Sequence, residues 1–553
     1  MPTLRPNDRP EKIGIITHGS LNKGVEMKLD PAESIESVVA GTFVVIQGQR
    51  YDFFSMITDV TIDAANEDIL LHPPPVRAHL LRRILQGTGT YATVTLRPML
   101  MMENRVNAEF AEVRPVKTVP AHFSVVARAT EEDVARVFGH EANRDDEGRQ
   151  VYFHIGEPLG MDGIPVCLDL QRFVERSNAV FGKTGTGKTF ITRLLLAGTI
   201  QTGRAVNLIF DMHSEYGLSA RKEGGGFVRG LRDLFPAQVQ IFSLDPAGTR
   251  TAHRRLARLR GLPLRRPDRT GRHPPAPRHA QPDGHRRREH LRPPAPLRPA
   301  MADDPSRRRP GRHRRSVRGA RERRRRAATQ APRLREATSF FRTEPSAGRQ
   351  DVIEDLMETL DAGKSVVFEF GKFDDLRVYL LVANVITRRL RDRYEEKTLH
   401  YLQTRNEADA PRPLIITIEE AHKFLAPGIA HETPFGKIAR EMRKFFVSLL
   451  VVDQRPSAID EEVLSQIGTK IIAQLNDEKD IGAALVGVSG ASSLRQVLAS
   501  LDSRQQALVL GHAVPMPVVI RTRSYDEAFY RALRGDDAPR SFKEARSEIS
   551  DLF

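Results

Sequence analysis

The chain has 553 residues, a formal net charge of +15 and a single cysteine, Cys167. That length accommodates two or three domains, each able to bury a core, and one thiol excludes both an intramolecular disulfide and a Cys-based zinc cluster. The sequence contains no run of 18 apolar residues and its first residues, Met1 to Lys12, lack a signal-type apolar core, so a soluble, cytoplasmic protein without membrane association is expected.

From Lys12 to about Val116 short apolar runs (Ile13 to Ile16, Gly41 to Ile46, Asp52 to Thr61, Tyr91 to Leu96) alternate with turn signals, and residues 1–116 read as a small β-barrel domain. Residues 117–155 read as a connector with one helix pattern, Glu131 to Phe138. From residue 156 to about 530 strands and helices alternate, the signature of an α/β fold with a mostly parallel sheet. The expected order is strand Asn178 to Phe181, helix Thr189 to Thr202 and strand Ala205 to Asp211, then, after an anomalous window, helix Gln350 to Leu360 and strand Ser365 to Phe370. Helix Leu376 to Leu399, strand Leu414 to Ile418, helix Glu432 to Phe445 and strand Val447 to Val452 follow, and residues 531–553 form a C-terminal tail.

The anomalous window, residues 251–335, holds 28 of the 85 basic residues, all Arg, and six of the 70 acids, so it carries +22 and the rest of the chain −7. It has no Lys, Ile, Phe, Tyr or Asn and no period of 2 or 3.6. One reading is a basic arm that grips nucleic-acid phosphates; the other, which fits the composition better, is a GC-rich helical insertion translated out of frame. The net charge therefore does not by itself argue for DNA binding.

Gly182-Lys183-Thr184-Gly185-Thr186-Gly187-Lys188-Thr189 matches the eight-position P-loop pattern, with an apolar strand before it and a helix pattern after it. Glycines let backbone N–H groups converge on phosphate oxygens at a helix N-terminus. In such a loop Lys188 pairs with the β- and γ-phosphates of ATP and Thr189 places its hydroxyl on Mg²⁺. Such a loop needs a strand that ends in acid, and Leu414 to Ile418 leads into Glu419 and Glu420. Glu419 is then the residue that completes the metal shell, and Glu420 the general base that polarises the attacking water. A further apolar run, Val447 to Val452, ends at Asp453 and Gln454, placing Gln454 to sense the γ-phosphate or the water. Arg440, Arg443 and Lys444 fall at helical spacing just before it. They are either a solvated face favoured by the helix dipole or, through Arg443, an arginine finger for a neighbouring subunit. Asp211 to Gly217 is either support for the site or an ordinary strand-ending loop.

Taken together, the Gly182 to Thr189 loop, Asp211 to Gly217, Glu419-Glu420-Ala421-His422, Arg440 to Phe445 and Gln454-Arg455-Pro456 resemble the HerA branch of the HerA/FtsK ATPases. The resemblance covers about Gly156 to Arg523, and the N-terminal segment is similar to the HAS-type barrel that precedes the motor in that family. It implies a RecA-like P-loop ATPase core acting as a homo-hexameric ring that translocates double-stranded DNA, commonly with a nuclease such as NurA in DNA-end resection. Some bacterial relatives serve antiviral systems with other effector subunits. Carried over by residue, it makes Lys188 and Thr189 the nucleotide and Mg²⁺ ligands, Glu419 the metal support, Glu420 the catalytic glutamate, Gln454 the sensor and Arg443 the finger. The departure is the window: 231 positions separate Lys188 from Glu419, and part of that span does not read as the helical insertion usual in the family. A secretion or conjugation motor is disfavoured by the lack of a membrane anchor, and a nucleotide-switched scaffold for an effector enzyme carries the same motifs.

Overall fold

The computed structural model describes residues 11–104 except 65 and 89, then 113–221, 227–245, 352–371, 373, 375–502 and 505–534. The Arg/Pro-rich window and residues 535–553 of the expected tail lie outside them. Among the described residues no helix is long and apolar enough to cross a membrane.

The N-terminal strands are β1 (Lys12–Ser20), β2 (Gly24–Leu29), β3 (Phe43–Gln47), β4 (Tyr51–Ala64), β5 (Thr90–Glu103), β6 (Arg114–Pro115) and β7 (Val125–Arg128). They pair antiparallel in the order β2-β1-β7-β3-β4-β5-β6, and a further β2–β5 pairing closes six of them into a barrel. Closure leaves no strand among the six with a free edge. In β3 the pleat divides the side chains: Val44 and Ile46 fill the barrel, whereas Phe43 and Val45 join a second core outside it. Both faces are buried, which is why the strand reads as an unbroken apolar run. β7 corrects the reading of residues 117–155 as a connector. It lies between β1 and β3 and pairs with both. Its four residues, VVAR, are too short to show a period; two flanking ladders make it a strand.

The second sheet contains β8 (Tyr152–Pro158), β9 (Val166–Asp169), β10 (Asn178–Phe181), β11 (Val206–Asp211), β14 (Val239–Ser243), β15 (Ser365–Glu369), β16 (Leu414–Glu419), β17 (Val447–Asp453), β18 (Thr469–Ala473), β19 (Gln506–Gly511) and β20 (Val518–Thr522). A separate small hairpin pairs β12 (Ala220–Arg221) with β13 (Phe227–Val228). The order is β14-β15-β11-β16-β17-β10-β18-β19-β20-β8-β9, parallel from β14 to β18 and antiparallel beyond. β11, β16 and β17 are buried at every position, as strands covered on both faces must be. The helix Lys188–Thr202 is buried continuously from Ile191 to Ile200. Its Gly198 lies against Phe153, where a Cβ would come within 2.7 Å of the ring. The helix expected over Glu432 to Phe445 is α-helical only at Pro434–Glu441; a 3-10 turn, Met442–Phe445, and a left-handed Phe446 (φ 61°) then redirect the chain into β17.

The barrel and the α/β sheet share one core. Phe43 of the barrel, stacked on Phe54, meets Phe138 of the helix Glu131–Phe138 edge to face, and the same cluster continues through Phe153 and Leu194. Phe138→Ala should lower stability by about 3–5 kcal/mol in urea denaturation, the usual loss for a fully buried ring. A loss under about 1 kcal/mol would show that this ring does not tie the two parts together.

Candidate functional site

The parallel strands bring the residues singled out in the sequence to one edge. β10 runs into Gly182, whose N–H donates to the Asp453 carbonyl (3.3 Å), and Lys183 N–H donates to the Gln474 carbonyl (3.0 Å). The loop is thus held to the ends of both neighbouring strands. Gly185 and Gly187 adopt φ of 82° and 91°, the left-handed region that glycine enters without steric cost. At Gly182 the reason for glycine is close approach, since a Cβ would lie 2.7 Å from Thr186 Oγ1 and 2.9 Å from Ala473 Cβ. Thr186 Oγ1 donates to the Lys183 carbonyl (2.8 Å), and Lys188 Nζ folds back onto the same oxygen (3.0 Å). Burial lowers the Lys188 pKa, opposed by the charges of Glu420, Asp453, Glu419 and Glu215.

Four neighbouring parallel strands end in acid: Glu369 on β15, Asp211 on β11, Glu419 on β16 and Asp453 on β17. Asp211 is fully buried, and its carboxylate accepts the N–H groups of Glu215 (2.8 Å), Tyr216 (2.8 Å) and Gly217 (3.3 Å). These bonds wind the loop after β11 so that two side chains reach the site. Glu215 Oε2 accepts the Thr189 hydroxyl (2.9 Å), and the Tyr216 hydroxyl donates to Glu419 Oε1 (2.7 Å). Glu419 is 9% exposed and its Oε2 is buried without a hydrogen-bond partner. Burial, with the charge of Asp211 adding, pushes its carboxyl up to about 8 against the opposing Tyr216 bond. An orphaned buried carboxylate oxygen fits a cation, which would remove the cost of burying that charge.

Glu420 sits at φ 49°, a left-handed conformation costing a non-glycine residue roughly 1–3 kcal/mol. The turn separates it from Glu419: one acid goes under the sheet edge and the other toward the loop. Glu420 Oε1 accepts from Gln454 Nε2 (3.0 Å), and Gln454 Oε1 accepts the Thr184 hydroxyl (2.6 Å). Thr184, Gln454 and Glu420 therefore form one hydrogen-bonded chain across the site. His422 N–H and Nδ1 both meet Asp453 Oδ2 (2.7 and 3.0 Å), with Nδ1 3.7 Å from Glu420.

Arg443 is not brought to this site in its own chain. It belongs to the 3-10 turn that enters β17, whereas Gln454 follows the other end of that seven-residue strand, a separation of about 20 Å. There it lines an open cleft with Arg204 and Arg412. Sequence reasoning assigns no individual role to Glu215, Tyr216, Asp453 or His422, although the Asp211 to Gly217 segment reads as either support for the site or a strand-ending loop. The first two had a signal in the Asp211 to Gly217 segment, where an acid and a phenol follow a strand-ending aspartate.

A glycine-rich phosphate cradle at the carboxyl edge of a parallel sheet, with acids at the ends of the neighbouring strands, defines a P-loop nucleotide-binding domain with a RecA-like core. Residues 153–267 match the family model described as Helicase HerA, central domain. The DNA double-strand break repair helicase HerA of Sulfolobus acidocaldarius is 31% identical over 175 residues, 31% of this chain and 34% of that protein. Its counterpart in Pyrococcus furiosus is 35% identical over 147 residues, 26% of each. Among solved structures, VirB4 of Thermoanaerobacter pseudethanolicus is similar at 13% identity and a TM-score of 0.33, covering 69% of this chain and 98% of that one. Over the matched part the chain is similar to HerA helicases, and the match spans about a third of the length of the Sulfolobus relative.

Glu419 gives the site a measurable pH signature. Its folded value of about 8 lies above the ordinary 4.5, so between these limits the native state binds a proton that the unfolded state releases. Its contribution to stability is therefore progressively lost as pH rises through that window. In chelator, Glu419→Gln should gain urea stability over wild type between about pH 5 and about pH 8.5, by a few kcal/mol. An equal difference at both pH values would contradict the buried-acid account.

Proposed function

We propose that this chain hydrolyses ATP in the cytoplasm as a homo-hexameric ring and uses the energy to translocate double-stranded DNA, with a NurA-like nuclease as partner in DNA-end resection. The observation that carries the hydrolytic part is the chain Thr184, Gln454, Glu420, which ties the phosphate loop to a carboxylate poised beside it. The DNA and nuclease parts rest on the HerA-like family and on relatives named as break-repair helicases.

In this reading the backbone N–H groups of Lys183 to Thr189 and the Lys188 ammonium receive the phosphates of ATP. Thr189 and Glu419 would hold Mg²⁺, which would supply positive charge against the phosphate oxygens. Glu420 takes the proton of the attacking water, and Gln454 orients that water against the γ-phosphate. Lys188, now folded onto the Lys183 carbonyl, swings to the phosphates when they arrive. Arg443 lies at the opposite edge from its own cradle and is assigned to the site of the adjacent subunit, where its fixed charge stabilises the transition state.

A second reading, an ATP-switched scaffold that assembles an effector enzyme, is favoured by one feature of the barrel. Ile62, Leu70, Leu71, Val76, Leu80, Leu81 and Ile84, all within or next to the segment joining β4 and β5, are exposed, and an excess of exposed apolar groups favours a protein contact. ATPase measurements with linear duplex across a salt series separate the two. A translocase is stimulated by duplex, and Glu420→Gln lowers both basal and stimulated turnover by about 10²–10⁴-fold while retaining nucleotide binding. Absence of stimulation at every salt concentration would remove the translocase and leave the scaffold.

Mixing tests the assignment of Arg443. Arg443→Ala and Lys188→Ala subunits, each inactive alone, should recover part of the wild-type rate when combined, because some interfaces then join an intact cradle to an intact arginine. No recovery at any ratio would return Arg443 to an ordinary solvated helix end.

A further inference from the structure

Resting on the nucleotide-site reading, we propose that Glu215 is a second carboxylate at the metal end of the cradle, which together with Thr189 would hold the cation. The resemblance includes the Asp211 to Gly217 segment but gives Glu215 no role of its own. Three features of its placement carry the inference.

First, the Thr189 hydroxyl, the group a P-loop directs at its cation, donates to Glu215 Oε2 at 2.9 Å and not to either acid of the β16 end. Second, Glu215 is held on both sides of its backbone. Its N–H donates to Asp211 Oδ1 (2.8 Å), and its carbonyl accepts from Arg193. Arg193 is 3% exposed and lies over the rings of Phe190 (5.7 Å) and Tyr525 (5.9 Å). The residue before Glu215, Ser214, adopts φ 55°, so this clamp also sustains a strained backbone. A side chain on a free loop would need no such restraint. Third, the two carboxylates differ in exposure. Glu419 is buried with one oxygen given to the Tyr216 hydroxyl, whereas Glu215 is half-buried. A hard divalent cation held by few protein oxygens and retaining several waters suits such a half-open side.

The competing account makes Glu215 a structural anion at the N-terminus of the helix Lys188–Thr202, where a carboxylate is stabilising whatever binds nearby. The two accounts differ in sign when metal is withheld. A metal-directed carboxylate opposes the phosphates once the cation is gone, whereas a structural one supports the loop in either condition.

The test uses the full chain and a fluorescent, non-hydrolysable ATP analogue titrated in Mg²⁺ and in EDTA. Glu215→Gln should raise the Mg²⁺ concentration that half-saturates the metal-dependent gain in binding by about 10–100-fold. In EDTA it should leave the Kd unchanged or lower it. Glu215→Asp, which keeps the charge on a shorter arm, should restore part of the Mg²⁺ response; this also guards against Glu215→Gln failing to fold. An unaltered Mg²⁺ response in Glu215→Gln, or an equal weakening in both media, would overturn the proposal while leaving the cradle intact. Lys188→Ala reads the cradle itself: normal binding by that variant in both media would overturn the nucleotide site and Glu215 with it.

Discussion

The structure depends on one electrostatic constraint, the burial of carboxylates along the carboxyl edge of the parallel sheet. Asp211, Glu369, Glu419 and Asp453 end adjacent strands and are each at most 9% exposed. Isolated buried charges are too costly to retain, so each must be neutral, hydrogen-bonded or matched. Asp211 is met by three backbone N–H groups, and Asp453 by the N–H groups of His422 and Arg455. Glu419 is incompletely met, and its pKa rises accordingly. Glu419 Oε2 has no hydrogen-bond partner, and a cation bound at this edge would meet that oxygen.

The same constraint accounts for two strained backbone positions. Ser214 and Glu420 both adopt positive φ without being glycine, one in the loop after β11 and one directly after β16. Glu420 must turn away from Glu419 to face Gln454, and Ser214 must turn so that Glu215 faces Thr189. A continuous extended chain would place successive side chains on opposite faces of the sheet, and neither acid would reach the cradle. Strain in two loops is offset by the buried parallel ladder beneath them, including β11 paired with β16 from Val206↔Leu414 to Phe210↔Ile418.

What could be read from the sequence was what is local in it. The cradle is a contiguous strand, loop and helix, and Glu419 and Glu420 directly follow an apolar run, so both were visible without knowing the fold. Gln454 was visible for the same reason at the end of β17. Glu215 was hidden because its position is set by Asp211 collecting three N–H groups, which no periodicity records. The short strand β7 was hidden because ladders on both sides, not its composition, make it a strand. The antiparallel half of the second sheet was equally silent: β19 and β20 are ordered by the pairing Gln506↔Arg521 to Val509↔Val518, a non-local fact. Arg443 was visible as a basic residue at helical spacing, but its edge of the sheet was not, because the 3-10 turn and left-handed Phe446 decide where the chain enters β17.

That last placement bears on how a ring of this chain would couple its sites. β17 has Arg443 near its entry and Asp453 and Gln454 at its exit, and it pairs in parallel with β16 on one side and β10 on the other. All seven of its residues are buried, so the strand has no slack for sliding against neighbours whose packing is that of a solid. In the proposed hexamer the arginine end of β17 meets one nucleotide and the Gln454 end meets the next. A shift imposed at either end is then carried by a rigid element already engaged at the other. Coupling of this kind needs no long chain of side chains, only a strand held on both edges whose two ends belong to different sites.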